Sequence, residues 1–98
     1  MKKDAKKVLV VDDEVKILEV LRSFLESKGY EVFTAENGKQ AFCIFETEKI
    51  SLVLLDLMLP DMSGEDICMS IRQRSRVPVI MLTAKVQEAD MIKGLGIG

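Results

Sequence analysis

The strongest constraint on this chain is a spacing. Four short apolar runs begin near Val8, Tyr30, Leu52 and Val79, at intervals of a little over 20 residues. Lys7 to Val11 (KVLVV) and the run from Leu52 to Leu55 are short, continuous and β-branched in part, as strands buried on both faces of a parallel sheet are. Tyr30 to Ala35 alternates like a half-buried strand, and Pro78 to Leu82 (PVIML) is a fourth apolar strand with proline tolerated at its start. Between them Ile17, Leu18, Leu21, Phe24 and Leu25 recur at helical period, which predicts a first helix from about Glu14 to Lys28 stopped by Gly29. Asn37 with Gln40 has the form of a capping box opening a second helix that reaches about Glu48. Ser63 with Asp66 starts a third, carrying Ile67 and Ile71 toward Arg74, and Val86, Ala89, Ile92 and Leu95 mark a fourth. Strand and helix thus alternate four times, which calls for right-handed parallel crossovers and a sheet with helices on both faces. The class is α/β, doubly wound. At 98 residues there is room for one domain, with residues 1–6 as a flexible leader.

Within that frame the stretch Ser51 to Gly64 (SLVLLDLMLPDMSG) puts a single acid, Asp56, at the end of the most apolar run. Pro60 and the Asp61, Ser63 and Gly64 cluster then turn the chain. Asp56 is expected at the carboxyl end of a central strand, where open α/β sheets place their ligands. A strand-ending Asp often does no more than bond nearby amides. Here, however, strand one also ends in acids, Asp12, Asp13 and Glu14, and strand four ends in Thr83.

If strands one and three are neighbours, as in the order 2-1-3-4, Asp12, Asp13 and Asp56 converge. At a separation of about 4 Å and an effective dielectric near 20, each like-charge pair costs on the order of 4 kcal/mol. A hydrogen bond, at about 1 kcal/mol, does not offset that. A divalent cation does, and a site built of oxygen ligands alone favours Mg²⁺ or Mn²⁺. The competing role for Asp12 or Asp13 is to cap helix one, which needs only one acid.

Composition narrows the alternatives. There is no His, and Cys43 and Cys68 lack CxxC partners, so a zinc site or a Cys/His nucleophile fails on ligand supply. No apolar stretch approaches the roughly 20 residues of a membrane span, and MKKDAKK is too polar to lead a signal peptide, so a soluble cytoplasmic protein is expected. The net charge is −2 and the basic residues are scattered apart from Lys2, Lys3, Lys6 and Lys7, which argues against direct nucleic-acid binding by this segment.

VVDDE after strand one, LLDLMLPDMSG through strand three and VIMLTA at strand four together resemble the receiver domain of two-component response regulators, from about Lys6 to Gly98. The resemblance implies a flavodoxin-like receiver fold. It further implies that Asp56 accepts a phosphoryl group from a phosphohistidine of a sensor histidine kinase, and that Asp12 and Asp13 hold Mg²⁺, Asp13 directly. The backbone carbonyl of Met58 would be a further ligand beside Asp56. Thr83 matches the hydroxyl that turns toward the aspartyl phosphate, Ala84 the small residue that leaves room for it, and Pro60 and Gly64 the residues that shape the loop. Receivers continue into a fifth strand, carrying a phosphate-binding Lys and a switch aromatic, and a fifth helix. The chain stops at Gly98, so these are expected to be missing, and an effector domain, with DNA binding as one such output, is expected in the parent protein. An uncovered strand four would favour a homodimer or swapped dimer.

Two other functions share parts of this pattern. A Mg²⁺-dependent aspartate-nucleophile phosphatase also places Asp at a strand end, but it needs a second acid two residues on, where this chain has Met58. A flavin or nucleotide carrier of flavodoxin-like fold would need a Gly-rich phosphate loop after strand one, which is absent. Were Asp56 not the nucleophile, Asp61 would be the next candidate.

Overall fold

The computed structural model describes residues 5–56 and 59–82. The elements alternate as β1 (Lys7–Val11), α1 (Val15–Ser27), β2 (Glu31–Ala35), α2 (Gly38–Thr47), β3 (Ile50–Asp56), α3 (Gly64–Arg72) and β4 (Val79–Leu82). All strand pairs are parallel and the sheet order is β2-β1-β3-β4. The doubly wound α/β fold with order 2-1-3-4 is therefore present. The expected fourth helix, Thr83 and Ala84, and Met58 lie outside the described residues. So does most of the leader expected over residues 1–6, although the Lys6 carbonyl already accepts the Glu31 N–H at 3.0 Å.

Strand alternation divides the core into two clusters. Val8 and Val10 of β1, Val32, Leu54 and Leu82 pack with Leu18, Leu21 and Leu25 of α1. Leu9 and Val11, Ala35, Val53 and Leu55 face the other way and pack with Ala41 of α2 and Ile67 and Ile71 of α3. The central strands read as unbroken apolar runs because they are buried on both faces. The pattern also carries the strand ends past the last apolar residue to the same edge of the sheet.

Local chemistry ends the elements cleanly. After α1, Gly29 takes φ 93°, and the Gly29 and Tyr30 N–H groups donate to Glu26 and Leu25 carbonyls at 3.0 and 3.2 Å, a glycine-centred stop. At the start of α2, Asn37 Oδ1 accepts the Gln40 N–H at 2.8 Å as expected. The return bond differs: Gln40 Oε1 accepts from the Glu36 N–H, also at 2.8 Å, one residue before the position a capping box uses. Ser63 Oγ accepts the Asp66 N–H at 3.1 Å and opens α3.

Candidate functional site

In the β1–β3 ladder Val8 pairs with Leu52, Val10 with Leu54 and Val11 with Leu55. The next residue along each strand is an acid, Asp12 on one and Asp56 on the other, and β3 continues through Asp56, which pairs with Leu82 of β4. Asp12 is held in the sheet's path by its own N–H, which donates to the Ala35 carbonyl of β2 at 3.0 Å. Its side chain then closes a tight turn, Oδ1 accepting the Glu14 N–H at 2.8 Å.

That turn settles the capping alternative. Glu14, not Asp12 or Asp13, is the residue that precedes α1, and no side chain caps the helix there. Asp12 bonds the amide of Glu14 itself, outside the helix, and leaves Asp13 directed to solvent. Both acids therefore stay with the strand edge.

Carboxylate oxygens of Asp12, Asp13 and Asp56 all lie within 4.8 Å of one another, so one ion could touch all three. Asp12 and Asp56 are only 3% and 4% exposed, whereas Asp13 is open to solvent and marks the mouth of the site. Burial raises the Asp12 carboxyl from the usual range near 3.8 to about 6, with the charges of Asp56 and Asp13 adding to the rise and the Glu14 N–H opposing it. An acid pushed up in this way is a carboxylate short of positive charge. The donor set is all oxygen, two of its members are buried, and the residues present suit a hard divalent cation such as Mg²⁺.

Asp61 behaves differently from what its sequence suggested. Its Oδ1 accepts the Gly38 N–H at 2.8 Å and its Oδ2 the Lys39 N–H at 3.1 Å, so it caps α2 from a loop 23 residues away. The Gly38 N–H, above all, lowers its carboxyl below the usual range. Asp61 is absent from the three-acid group and both its oxygens serve a helix end. Local sequence carried little sign of this contact. The one signal was a glycine at the first position of α2, where it costs about 1 kcal/mol against alanine unless something must approach closely. A Cβ on Gly38 would run into Cγ and Sδ of Met62 and meet Cδ1 of Ile67 at 3.2 Å.

The chain matches the response regulator receiver domain over residues 8–98. It is 48% identical, over all 98 residues, to a probable transcriptional regulator, ycf27, of Porphyra purpurea, covering 40% of that protein. It is 47% identical over 94 residues to the alkaline phosphatase synthesis transcriptional regulatory protein PhoP of Bacillus subtilis, covering 95% of this chain and 39% of the other. The chain thus spans about two fifths of the length of these relatives. Among solved structures, the Thermotoga maritima response regulator protein TrrA in complex with Mg²⁺–BeF is similar at TM-score 0.76 and 38% identity, over 91% of this chain and 80% of that one. TrrA in complex with histidine kinase ThkA is similar at TM-score 0.77 and 40% identity, over 85% and 72%.

Proposed function

The chain belongs to the response regulator receiver domains, and from that premise we propose that Asp56 is its phosphoacceptor, working with a Mg²⁺ ion held by Asp12, Asp13 and Asp56. The observation that carries the proposal is the convergence of these three carboxylates within 4.8 Å at the end of the central strands. The donor is a phosphohistidine of a sensor histidine kinase. One oxygen of Asp56 attacks phosphorus in line, the O–P bond forms as the P–N bond breaks, and the electron pair leaves with the imidazole, which takes a proton from solvent. Mg²⁺ bound among the acids supplies the positive charge that offsets both the carboxylates and the oxygens of the transferring group.

Within this reading Asp13 is a direct ligand, Asp12 a buried partner that sets the charge of the site, and the backbone carbonyl of Met58 a further ligand. Thr83 is the hydroxyl that turns toward the aspartyl phosphate, and Ala84 gives it room. Because the matched relatives are transcriptional regulators of more than twice this length, we place the receiver in a cytoplasmic protein whose effector domain binds DNA. Among the described residues β4 is the outermost strand beyond β3, and its side chains join both core clusters. Pairing of β4 with a second copy is accordingly part of the proposal, tested by sedimentation at micromolar concentration: a concentration-independent monomer contradicts it.

Fluorine NMR with beryllofluoride tests the acceptor. A Mg²⁺-dependent bound signal in the wild type that disappears in Asp56→Asn is the expected result, and an unchanged signal in the variant overturns it. Sustained release of phosphate from small phosphate esters would favour the aspartate-nucleophile phosphatase instead.

A further inference from the structure

We propose that Glu14 and Glu36 are specificity-determining residues for phosphotransfer: two carboxylates on the rim of the acid site that discriminate between phosphodonors by charge. They disfavour a donor that brings only negative charge and favour a protein donor whose surface beside the phosphohistidine is basic. The inference deepens the reading of Asp56 as phosphoacceptor and rests on it.

The strands β2, β1 and β3 run side by side, with Ala35 paired to Val11 and Val11 to Leu55. The residue after each of these is an acid, Glu36, Asp12 and Asp56, so three consecutive strands end in a carboxyl group. Neighbouring strands lie about 4.8 Å apart, which sets Glu36 roughly 10 Å from the acceptor. Glu14 is fixed to the same edge by its own N–H, which donates to Asp12 Oδ1 at 2.8 Å. Burial does most to raise the Asp12 carboxyl, and after the charges of Asp56 and Asp13 that of Glu14 adds to the rise, so Glu14 is within electrostatic reach of the site.

Neither glutamate belongs to the three-acid group, and both are exposed. Among the described residues neither carboxylate is hydrogen-bonded or ion-paired. Lys16 and Lys39, the cations nearest to them in sequence, pair with neither, and Arg22, which lines the same cavity as Glu36, turns to Glu26 at 3.3 Å. A cation held by the three acids leaves this rim charge in place. The distances involved are comparable with the Debye length, about 10 Å at 0.1 M salt, so the rim repels an approaching phosphate most at low ionic strength. Basic side chains set against Glu14 and Glu36 turn the same charge into attraction and steering.

The test measures initial rates of labelling by intact mass, at subsaturating donor and saturating Mg²⁺, across a series of KCl concentrations. The donors are acetyl phosphate and two synthetic phosphohistidine peptides, one flanked by lysines and one by glutamates. At low ionic strength the double variant Glu14→Gln, Glu36→Gln should be labelled by acetyl phosphate on the order of threefold faster than the wild type, and the two should converge as salt rises. The wild type should prefer the lysine-flanked peptide, and the double variant should narrow that preference. Glu31→Gln removes one charge at the opposite edge, where β2 begins, and should leave every rate unchanged. A double variant with the wild-type rate and salt dependence overturns the inference, as does a peptide preference that it leaves intact or an equal acceleration by Glu31→Gln. A wild type that takes no phosphoryl group from any donor is a different outcome: it overturns the reading of Asp56 and the role of the rim with it.

Discussion

Asp12 and Asp56 follow directly on Val11 and Leu55, the last partners of the β1–β3 ladder, so two buried carboxyl groups stand at the ends of adjacent parallel strands. Parallel register makes this unavoidable once each strand is followed by an acid. With Asp13 at the mouth, the pair forms a pocket whose charge requires a cation or a proton. The predictions below separate these two responses.

In the presence of a chelator, Asp12→Asn should stabilise the protein above pH 6. The folded state holds the Asp12 proton up to about pH 6, while the unfolded chain releases it near 3.8. Stability from this group is therefore lost as pH rises from about 4 to about 6 and stays level above that. Melting temperatures of wild type and variant should coincide near pH 4 and separate by a few degrees at pH 7.5. Saturating Mg²⁺ should reverse the order by stabilising the wild type more.

Asp13→Ala should weaken Mg²⁺ binding by tenfold or more. Tenfold corresponds to about 1.4 kcal/mol, well within the Coulomb energy of on the order of 4 kcal/mol for unit charges at 4 Å and an effective dielectric near 20. Calorimetric titration of both proteins gives the ratio. An unchanged affinity removes Asp13 from the ligand set.

Asp61 should show the opposite pH behaviour to Asp12. Its carboxyl is lowered in the folded state by the Gly38 and Lys39 amides, so the stability it supplies is present above the unfolded value and is lost as pH falls through the folded one. Asp61→Ala should melt below the wild type at pH 7, and the gap should narrow steadily in acid. A gap independent of pH would mean that the carboxylate charge plays no part in the cap.

Leu54→Ala should cost about 2–5 kcal/mol, as truncation of a buried leucine does. Leu54 is fully buried between β1 and β4 and lies two residues before Asp56. Against the 5–15 kcal/mol of an ordinary domain this is a large share, and chemical denaturation would show it as a lower midpoint with an unchanged slope.

The strands and the three-acid edge were legible in the sequence because both follow from short-range pattern. Continuous apolar runs mark buried parallel strands, and an acid one residue past each run must land on the carboxyl edge. The order 2-1-3-4 supplied the adjacency. What the sequence did not disclose depends on contacts with no local period. The Gln40 side chain reaches Glu36 rather than Asn37, a shift of one residue that the S-x-x-E type of signature does not register. The Asp61 cap spans 23 positions, from the loop before α3 to the first residue of α2. For Asp12, the spacing left open a helix cap, and the geometry of the Glu14 amide decided against it.

The most direct test is the intact mass of the protein after incubation with acetyl phosphate and Mg²⁺. The wild type should gain the mass of one phosphoryl group in a bond cleaved by hydroxylamine, as an acyl phosphate is, and both Asp56→Asn and removal of Mg²⁺ should abolish the gain. A phosphoryl group that persists on Asp56→Asn, or that forms equally well without a divalent cation, would contradict Asp56 as the acceptor and the three acids as its metal site.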